Sequence, residues 1–375
     1  MVQNKISVCY VVSSLCNEGP VNVMYNIIKY INFDFFKVSI ITLVPEKETT
    51  RINDFSSLPI DIQQLSPQEF LNPLRMFVDL NKVIKNIQPD ILHTHCPRSM
   101  FLVPFLSERY KKIETVHIYP GIQQKIKYGA LKGSAVILLS HFFTSRMDLP
   151  IACSESVAES YWQEKRIKML AIPNGCSFPV WKSSPYERAT LRKQLGLKDN
   201  IRYFIFVGRF SKEKGPDLLV ELFTKMNRKD IGIILLGNGE MYEDLKKYES
   251  DLILLLGFKS NVSDYLRASD FYISASDTEG LSNSQLESMA AGLPCVVSDI
   301  PSHREVMRKA NKLIGYLYDK SNTASLIKAI DNVLLLDANS TSLYIQQLFE
   351  EYYTAKRMSI LYQDEYKRIM TFTAT

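Results

Sequence analysis

The sequence predicts an α/β protein of two Rossmann-like domains whose parallel sheets face a central cleft. Three observations carry this expectation. Short apolar runs alternate with helical patterns along most of the chain, as βαβ units require. The alternation is interrupted once, at a Pro173-Asn174-Gly175 turn and a stretch with two further prolines, and then starts afresh. The length, 375 residues, suits two domains of ordinary size.

In the first half, strands are expected at Ser7–Val12, Val38–Leu43, Asp90–His93, Ile113–His117, Ile151–Cys153 and Met169–Ile172. Helical patterns lie between them, among them Val21–Ile31, Leu74–Asn86 and Glu155–Glu164. Residues 177–185 form the best linker. The second series has strands at Tyr203–Val207, Gly232–Leu236, Leu252–Leu255, Phe271–Ser274 and Cys295–Ser298. Its helices include Asp217–Met226, Glu240–Tyr248, Ser263–Ala268 and Asn283–Ala291. Long helices rich in Tyr and charge close the chain from about Ser342 to Met370. The expected division is an amino-terminal domain over 1–172, a carboxyl-terminal domain over 173–345, and a helical segment over 346–375 that packs back on the first domain.

Composition narrows the class. Hydrophobic residues make up 46% and charged residues 23%, the balance of a soluble globular protein. A net charge of +5 is too mild to point to nucleic acid. The cysteines (Cys9, Cys16, Cys96, Cys153, Cys176 and Cys295) are scattered without a C-x-x-C pair, as expected of reduced core residues in a cytosolic protein. Ile6–Cys16 imitates a signal peptide but fits a buried first strand better. No apolar run approaches the roughly 18 residues that span a bilayer.

The stretch from Ser274 to Asp299 carries the most information. Glu279 sits in a loop beside Gly280, and Glu287 lies one to two turns into a helix that starts near Ser282. A helix start offers free N–H groups and partial positive charge, which suits a phosphate. Carboxylates beyond each end of a diphosphate can accept hydrogen bonds from hydroxyl groups. The alternative is a surface helix with two solvated glutamates. A second motif, Val207-Gly208-Arg209-Phe210-Ser211-Lys212-Glu213-Lys214-Gly215, closes a strand. Gly208 is read as permitting an unusual turn, and Arg209 and Lys214 as a diphosphate clamp. A solvated basic turn is the alternative.

Other motifs are weaker. Gly237-Asn238-Gly239 has two of the three glycines of a dinucleotide fingerprint, but Tyr242 fills the third place, so a tight turn is favoured over NAD binding. Gly257-Phe258 follows a strand, where the backbone can meet a nucleobase or simply turn. His93-Thr94-His95 lacks the partners of a metal site. His117 ends a strand, as a donor to a sugar or phosphate oxygen or as a structural histidine. His141 and His303 offer nothing specific. Residues 109–146 interleave Arg109, Lys111, Lys112, Lys125, Lys127, Lys132 and Arg146 with aromatic rings. That is a face for anionic lipid or an ordinary amphipathic helix.

In order and spacing these motifs resemble family 4 of the retaining glycosyltransferases of the GT-B fold, over nearly the whole chain. The resemblance implies that Arg209 and Lys214 bind the donor diphosphate, that Glu287 holds the ribose and that Glu279 contacts the donor sugar. Gly208, Gly237, Gly257, Phe258 and the segment Gly280, Leu281, Ser282 and Asn283 complete the donor site, and His117 lies near sugar and acceptor. Gly19 belongs to the loop where the family often has Gly-Gly. Here Pro20 follows it and has no N–H to offer.

The expected function is therefore sugar transfer with retention, from a UDP-hexose or UDP-N-acetylhexosamine to a lipid-linked or polysaccharide acceptor in bacterial cell-surface glycan synthesis. No metal or other cofactor is expected, and no nucleic-acid partner. The protein is expected in the cytoplasm, or peripheral on the inner face of the cell membrane through 109–146. A non-catalytic sugar-nucleotide-binding subunit and a sugar-nucleotide epimerase are the alternatives.

Overall fold

The computed structural model describes residues 5–65, 72–121, 124–125, 128–181 and 184–371. The chain forms two compact units, one of residues 1–175 with 355–375 and one of residues 176–354. The sequence reading sets these divisions at 172 and 345. The linker stretch 177–185 opens the second unit, with residues 182–183 outside the described ones.

The first unit runs β1 (Ile6–Val12), α1 (Gly19–Lys29), β2 (Phe36–Thr42), α2 (Ile52–Ser56), β3 (Asp61–Gln64), α3 (Pro73–Ile87), β4 (Ile91–Thr94), α4 (Pro97–Leu102), β5 (Lys111–Val116), α5 (Ala130–Thr144), β6 (Leu149–Ala152), α6 (Glu155–Lys165) and β7 (Leu170–Ala171). Its sheet is parallel in the order β3-β2-β1-β4-β5-β6-β7. The second unit runs α7 (Pro185–Gln194), β8 (Arg202–Val207), α8 (Pro216–Met226), β9 (Ile231–Leu236), α9 (Tyr242–Leu245), β10 (Ile253–Gly257), α10 (Val262–Ala268), β11 (Phe271–Ser274), α11 (Asn283–Ala290), β12 (Cys295–Ser298), α12 (Pro301–Lys309), β13 (Gly315–Tyr318), α13 (Thr323–Val333) and α14 (Ala338–Tyr352). Its parallel sheet has the order β10-β9-β8-β11-β12-β13.

Both sheets are covered on two faces, which is why their central strands read as continuous apolar runs. Ile231–Leu236, for instance, is buried at every position. In each sheet the strand order reverses once, between β1 and β4 and between β8 and β11. Loops leaving the carboxyl ends of such a strand pair diverge and leave room for a ligand.

The last helix, α15 (Ala355–Thr371), belongs to the first unit. It lies against α1, where Ser359 Oγ donates to the Ile27 carbonyl (2.7 Å) and the Gln363 amide oxygen accepts from the Asn32 N–H (2.9 Å). Met358, Tyr362 and Tyr366 complete the core around β1, β2, β4 and β5.

Two strands escape the sequence patterns. β3 alternates little and sits at an edge, with its ends exposed. β13 opens on Gly315, which approaches β12 so closely that a Cβ there would lie 2.0 Å from the Cys295 carbonyl oxygen. The helix expected over 240–248 is one short turn of α-helix, α9, followed by a 3-10 turn at Lys246–Tyr248.

Candidate active site

The second unit assembles its site at the reversal between β8 and β11. The loop after β8 carries Gly208, Arg209 and Lys214, and the loop after β11 carries Glu279, Gly280, Leu281 and Ser282. The two loops are tied together. The Asp277 N–H donates to the Glu213 carbonyl (2.8 Å), Lys214 Nζ meets Glu279 Oε1 (2.5 Å), and Ser276 Oγ donates to the same carboxylate oxygen (2.8 Å). Behind them Ser298 Oγ donates to the Ser276 carbonyl (2.6 Å) and Tyr318 Oη to the Ser274 carbonyl (3.0 Å). Glu279 is thus held by a cation and a hydroxyl on a loop braced from β12 and β13.

Gly215 explains how α8 can start so close to β11. It has φ +62°, and a Cβ would stand 2.7 Å from the Ala275 carbonyl oxygen. Gly208 has no left-handed conformation, which corrects the unusual turn expected there. The demanding position is Gly237, with φ +144° and a would-be Cβ only 1.8 Å from the Gly208 carbonyl oxygen. Backbone bonds join this corner: Gly208 N–H to Leu236, Phe210 N–H to Asn238, and Gly237 N–H to Gly257. The glycines 208, 237 and 257 therefore lie together as one stacked set of strand-end loops.

Arg209 is exposed and forms no ion pair among the described residues. Phe258 leaves the end of β10 with 69% of its surface exposed. Gly280, Leu281 and Ser282 are buried, and the Ser282 hydroxyl caps α11 by accepting from the Gln285 N–H. The amides of Asn283 and Ser284 have no partner among the described residues and remain available to an anion.

Glu287 lies one turn into α11. The surrounding protein desolvates its carboxyl and raises the pKa to about 7. Burial thus disfavours the ionised form of this carboxyl.

His303, passed over in the sequence, is fully buried beside this site. Its Nδ1 lies 2.8 Å from the Ser298 carbonyl, and burial lowers its pKa despite the neighbouring Glu279 charge. It braces the strand end that holds Ser276. A histidine five residues beyond Ser298, at the first turn of α12, was the available signal.

Gly19 and His117 belong to the first unit. Gly19 is the first residue of α1 and Pro20 sits in its first turn, where a missing N–H breaks no helical bond. His117 follows β5, half-buried, with Nε2 3.1 Å from His95 Nδ1. Burial lowers its pKa to about 4. His95 and His93 continue the row inward, and His93 bonds Tyr366 and Thr115 (2.8 Å each). No cluster of three metal-ligating side chains occurs among the described residues.

The two halves match two family descriptions. Residues 18–177 match "Glycosyltransferase Family 4" and residues 187–347 match "Glycosyl transferases group 1". The chain belongs to this family of GT-B glycosyltransferases. It is 26% identical over 282 residues to the UDP-Gal:alpha-D-GlcNAc-diphosphoundecaprenol alpha-1,3-galactosyltransferase of Escherichia coli, covering 70% of this chain and 71% of that protein. The O-antigen biosynthesis glycosyltransferase WclY of Escherichia coli is 23% identical over 381 residues, covering 97% of this chain and 99% of that protein. The fold resembles Anabaena Alr3699/HepE, solved in complex with UDP, with a TM-score of 0.79 at 16% identity, covering 97% of this chain and 100% of that one.

Proposed function

We propose that the protein moves a hexose or N-acetylhexosamine from a UDP-sugar to a lipid-linked or polysaccharide acceptor, with retention at the anomeric carbon, in bacterial cell-surface glycan synthesis. The observation that carries this is the Lys214–Glu279 pair, on the loop that also carries Arg209 and on the loop that leads into α11 at the strand-order reversal. That group offers cations and amides to a diphosphate and a fixed carboxylate to sugar hydroxyls. Departure of UDP builds negative charge on the phosphate oxygens. Arg209, Lys214 and the α11 amides would stabilise that charge more than the ground state, which is the source of rate. In this scheme Glu279 orients the sugar, Glu287 holds the ribose, Phe258 and Gly257 border the base, and His117 serves the sugar and acceptor. The fixed cations meet the diphosphate charge, so transfer should survive chelation by EDTA.

The acceptor reading draws on relatives. The Escherichia coli relative's name specifies a diphosphoundecaprenol acceptor, and a Streptococcus pneumoniae relative, 26% identical over 262 residues, is an alpha-monoglucosyldiacylglycerol synthase. It also draws on α5, which buries Gly133, Ser140, His141 and Thr144 while Leu131, Leu138, Leu139 and Phe142 stand exposed. Lys132 on α5, with Arg109 and Arg146 nearby in sequence, supplies positive charge, and Lys127 lies outside the described residues. We place the working protein at the inner face of the membrane through this helix. No described helix is long and apolar enough to cross a membrane.

The test is nucleotide release from a panel of UDP- and GDP-sugars, with Glu279→Ala as control and undecaprenyl-linked or soluble glycans as acceptors. Release from one UDP-sugar, with an axial or equatorial product that keeps the donor's anomeric configuration, supports the proposal. Inversion, or isomerised donor without transfer, overturns it. Cosedimentation with anionic vesicles, lost in Leu138→Asp/Phe142→Asp, tests the membrane part.

A further inference from the structure

Three imidazoles line the carboxyl ends of β4 and β5, and their partners differ in a telling way. The inner ring, His93, is satisfied at both nitrogens: Tyr366 Oη lies 2.8 Å from Nδ1, and Thr115 Oγ1 lies 2.8 Å from Nε2. Tyr10 and Tyr362 hold those two hydroxyls in turn, at 2.7 and 2.9 Å. The middle ring, His95, packs 4.4 Å from His93 between ring centroids. Its Nδ1 lies 3.1 Å from His117 Nε2, while its own Nε2 is buried without a partner among the described residues. The outer ring, His117, is half-buried, and its Nδ1 has no partner among the described residues.

Burial lowers the pKa of His93 to about 3 and of His117 to about 4, and holds His95 well below the ordinary value. At neutral pH each ring is uncharged and carries one N–H. A single proton then lies between His95 Nδ1 and His117 Nε2, and it can sit on either. If it sits on His117, His95 must carry its own proton on Nε2, as a buried N–H aimed at no acceptor. If it sits on His95, only a lone pair at His95 Nε2 goes unused, and His117 must carry its proton on Nδ1. Orphaned buried N–H groups are rarer than under-used acceptors. The second arrangement wins.

We propose that His95 is a positioning residue that fixes His117 as its Nδ1–H tautomer, so that His117 offers a hydrogen-bond donor, and no base, to an oxygen of the bound substrate. The buried hydroxyl network of Tyr10, Thr115, Tyr362 and Tyr366 holds His93, and His93 packs against His95. The substrate half of this statement rests on the role proposed above for His117. The tautomer does not.

The experiment uses the full-length protein labelled with ¹⁵N-histidine at pH 7. Long-range ¹H–¹⁵N correlation distinguishes protonated from bare ring nitrogens, and His117→Asn assigns the signal among the five histidines. The expected result is one tautomer at His117, protonated at Nδ1. A proton on Nε2, or an average of the two, overturns the proposal. His95→Leu removes the donor, whereas His95→Asn keeps an amide N–H near the place of Nδ1. The Leu variant should release His117 into averaged tautomers and slow transfer about ten-fold, the effect of one weakened contact. The Asn variant should recover most of both. An unchanged His117 spectrum in the Leu variant overturns the proposal, and so does unchanged transfer alongside an averaged spectrum. Should the Leu variant not fold, the wild-type spectrum decides. A wild type with the expected tautomer but no transfer from any donor would sink the proposed function and leave the tautomer standing.

Discussion

Replacing Lys214 by alanine separates two things that one ammonium group does. Its Nζ lies 2.5 Å from Glu279 Oε1, with 24% and 14% of the two side chains exposed. Removing it leaves a mostly buried carboxylate with Ser276 Oγ as its remaining hydrogen-bond partner among the described residues. Exposed ion pairs contribute about 0–1 kcal/mol, and breaking a fully buried one costs about 3–5 kcal/mol. This pair lies between those limits, so Lys214→Ala should lose roughly 1–3 kcal/mol of stability in urea unfolding. On the proposed mechanism the same group also meets the departing diphosphate. Losing one such stabiliser typically costs ~3–4 kcal/mol, or about 10²–10³ in kcat. Lys214→Arg and the double variant Lys214→Ala/Glu279→Ala divide the effects. The double variant should regain much of the lost stability, because no stranded charge remains, and regain none of the activity. Lys214→Ala with the expected loss of stability but wild-type kcat would refute the assignment of Lys214 to the leaving group.

The other predictions are more local. Arg209→Ala removes an exposed cation with no ion pair among the described residues, so calorimetry should show weaker UDP binding, by about ten-fold or more, with urea stability unchanged within ~0.5 kcal/mol. Tyr366→Phe deletes a hydroxyl shared by Tyr10 (2.7 Å) and His93 (2.8 Å) and should cost about 1–3 kcal/mol in urea unfolding. Gly237→Ala forces a Cβ into the Gly208 carbonyl at 1.8 Å and should lower the melting temperature and abolish UDP binding together. Glu114 is buried with one carboxylate oxygen unpartnered among the described residues, and desolvation raises its pKa to about 8. The folded protein therefore holds a proton that the unfolded chain releases near pH 4.5, so this contribution to stability is full below that pH and is lost as pH rises towards 8. Glu114→Gln should flatten that decline in a series of urea titrations from pH 5 to 8.5. On the acid side the depressed histidines act in the opposite sense. Their contribution is present above the ordinary value of 6.5 and is lost as pH falls towards 4.

Much of the fold is legible in the sequence. Parallel strands covered on both faces must be apolar throughout, so β1, β2, β8, β9, β11 and β12 announce themselves. The Arg209–Lys214 and Glu279–Glu287 segments stand out because charge and glycine at a strand-to-helix switch have few structural uses. The misses have equally plain causes. β3 is an exposed edge strand with polar side chains and little apolar pattern. The left-handed and close-approach demands fall on Gly215 and Gly237, not Gly208, because which glycine is crowded depends on loops distant in sequence, at Ala275 for Gly215 and at Gly208 for Gly237. α5 carries a helical apolar content without a helical apolar face, so periodicity cannot tell its exposed side from its buried one. His303 bonds Ser298 only five residues away and was passed over for want of a motif, whereas the row His93–His95–His117 depends on contacts between strands and a helix far apart in the chain. Tyr366, 273 residues from His93, is the clearest case.

The charge arrangement at the site has a consequence for how a donor would enter. Lys214 is bonded to Glu279, and burial raises the Glu287 pKa to about 7. Neither group stands ready as a bare charge. A diphosphate arriving at Arg209 and the α11 amides would compete for Lys214. The freed Glu279 oxygen would then have to find new donors, and sugar hydroxyls are the groups a nucleotide-sugar brings to that place. UDP alone can take the lysine but supplies no hydroxyl to the carboxylate it strands. On the proposed mechanism the exchange would couple the two ends of the donor. Diphosphate binding would break an ion pair, and only a donor that carries a sugar would give the carboxylate new partners. On this argument Glu279→Gln should narrow the affinity gap between UDP-sugar and UDP by tightening UDP, because the neutral amide leaves no stranded charge behind. Calorimetry with both ligands on both proteins measures that gap directly. A gap that narrows because UDP-sugar binds more weakly, with UDP unchanged, would mean that Glu279 contributes to sugar binding without first being held by Lys214.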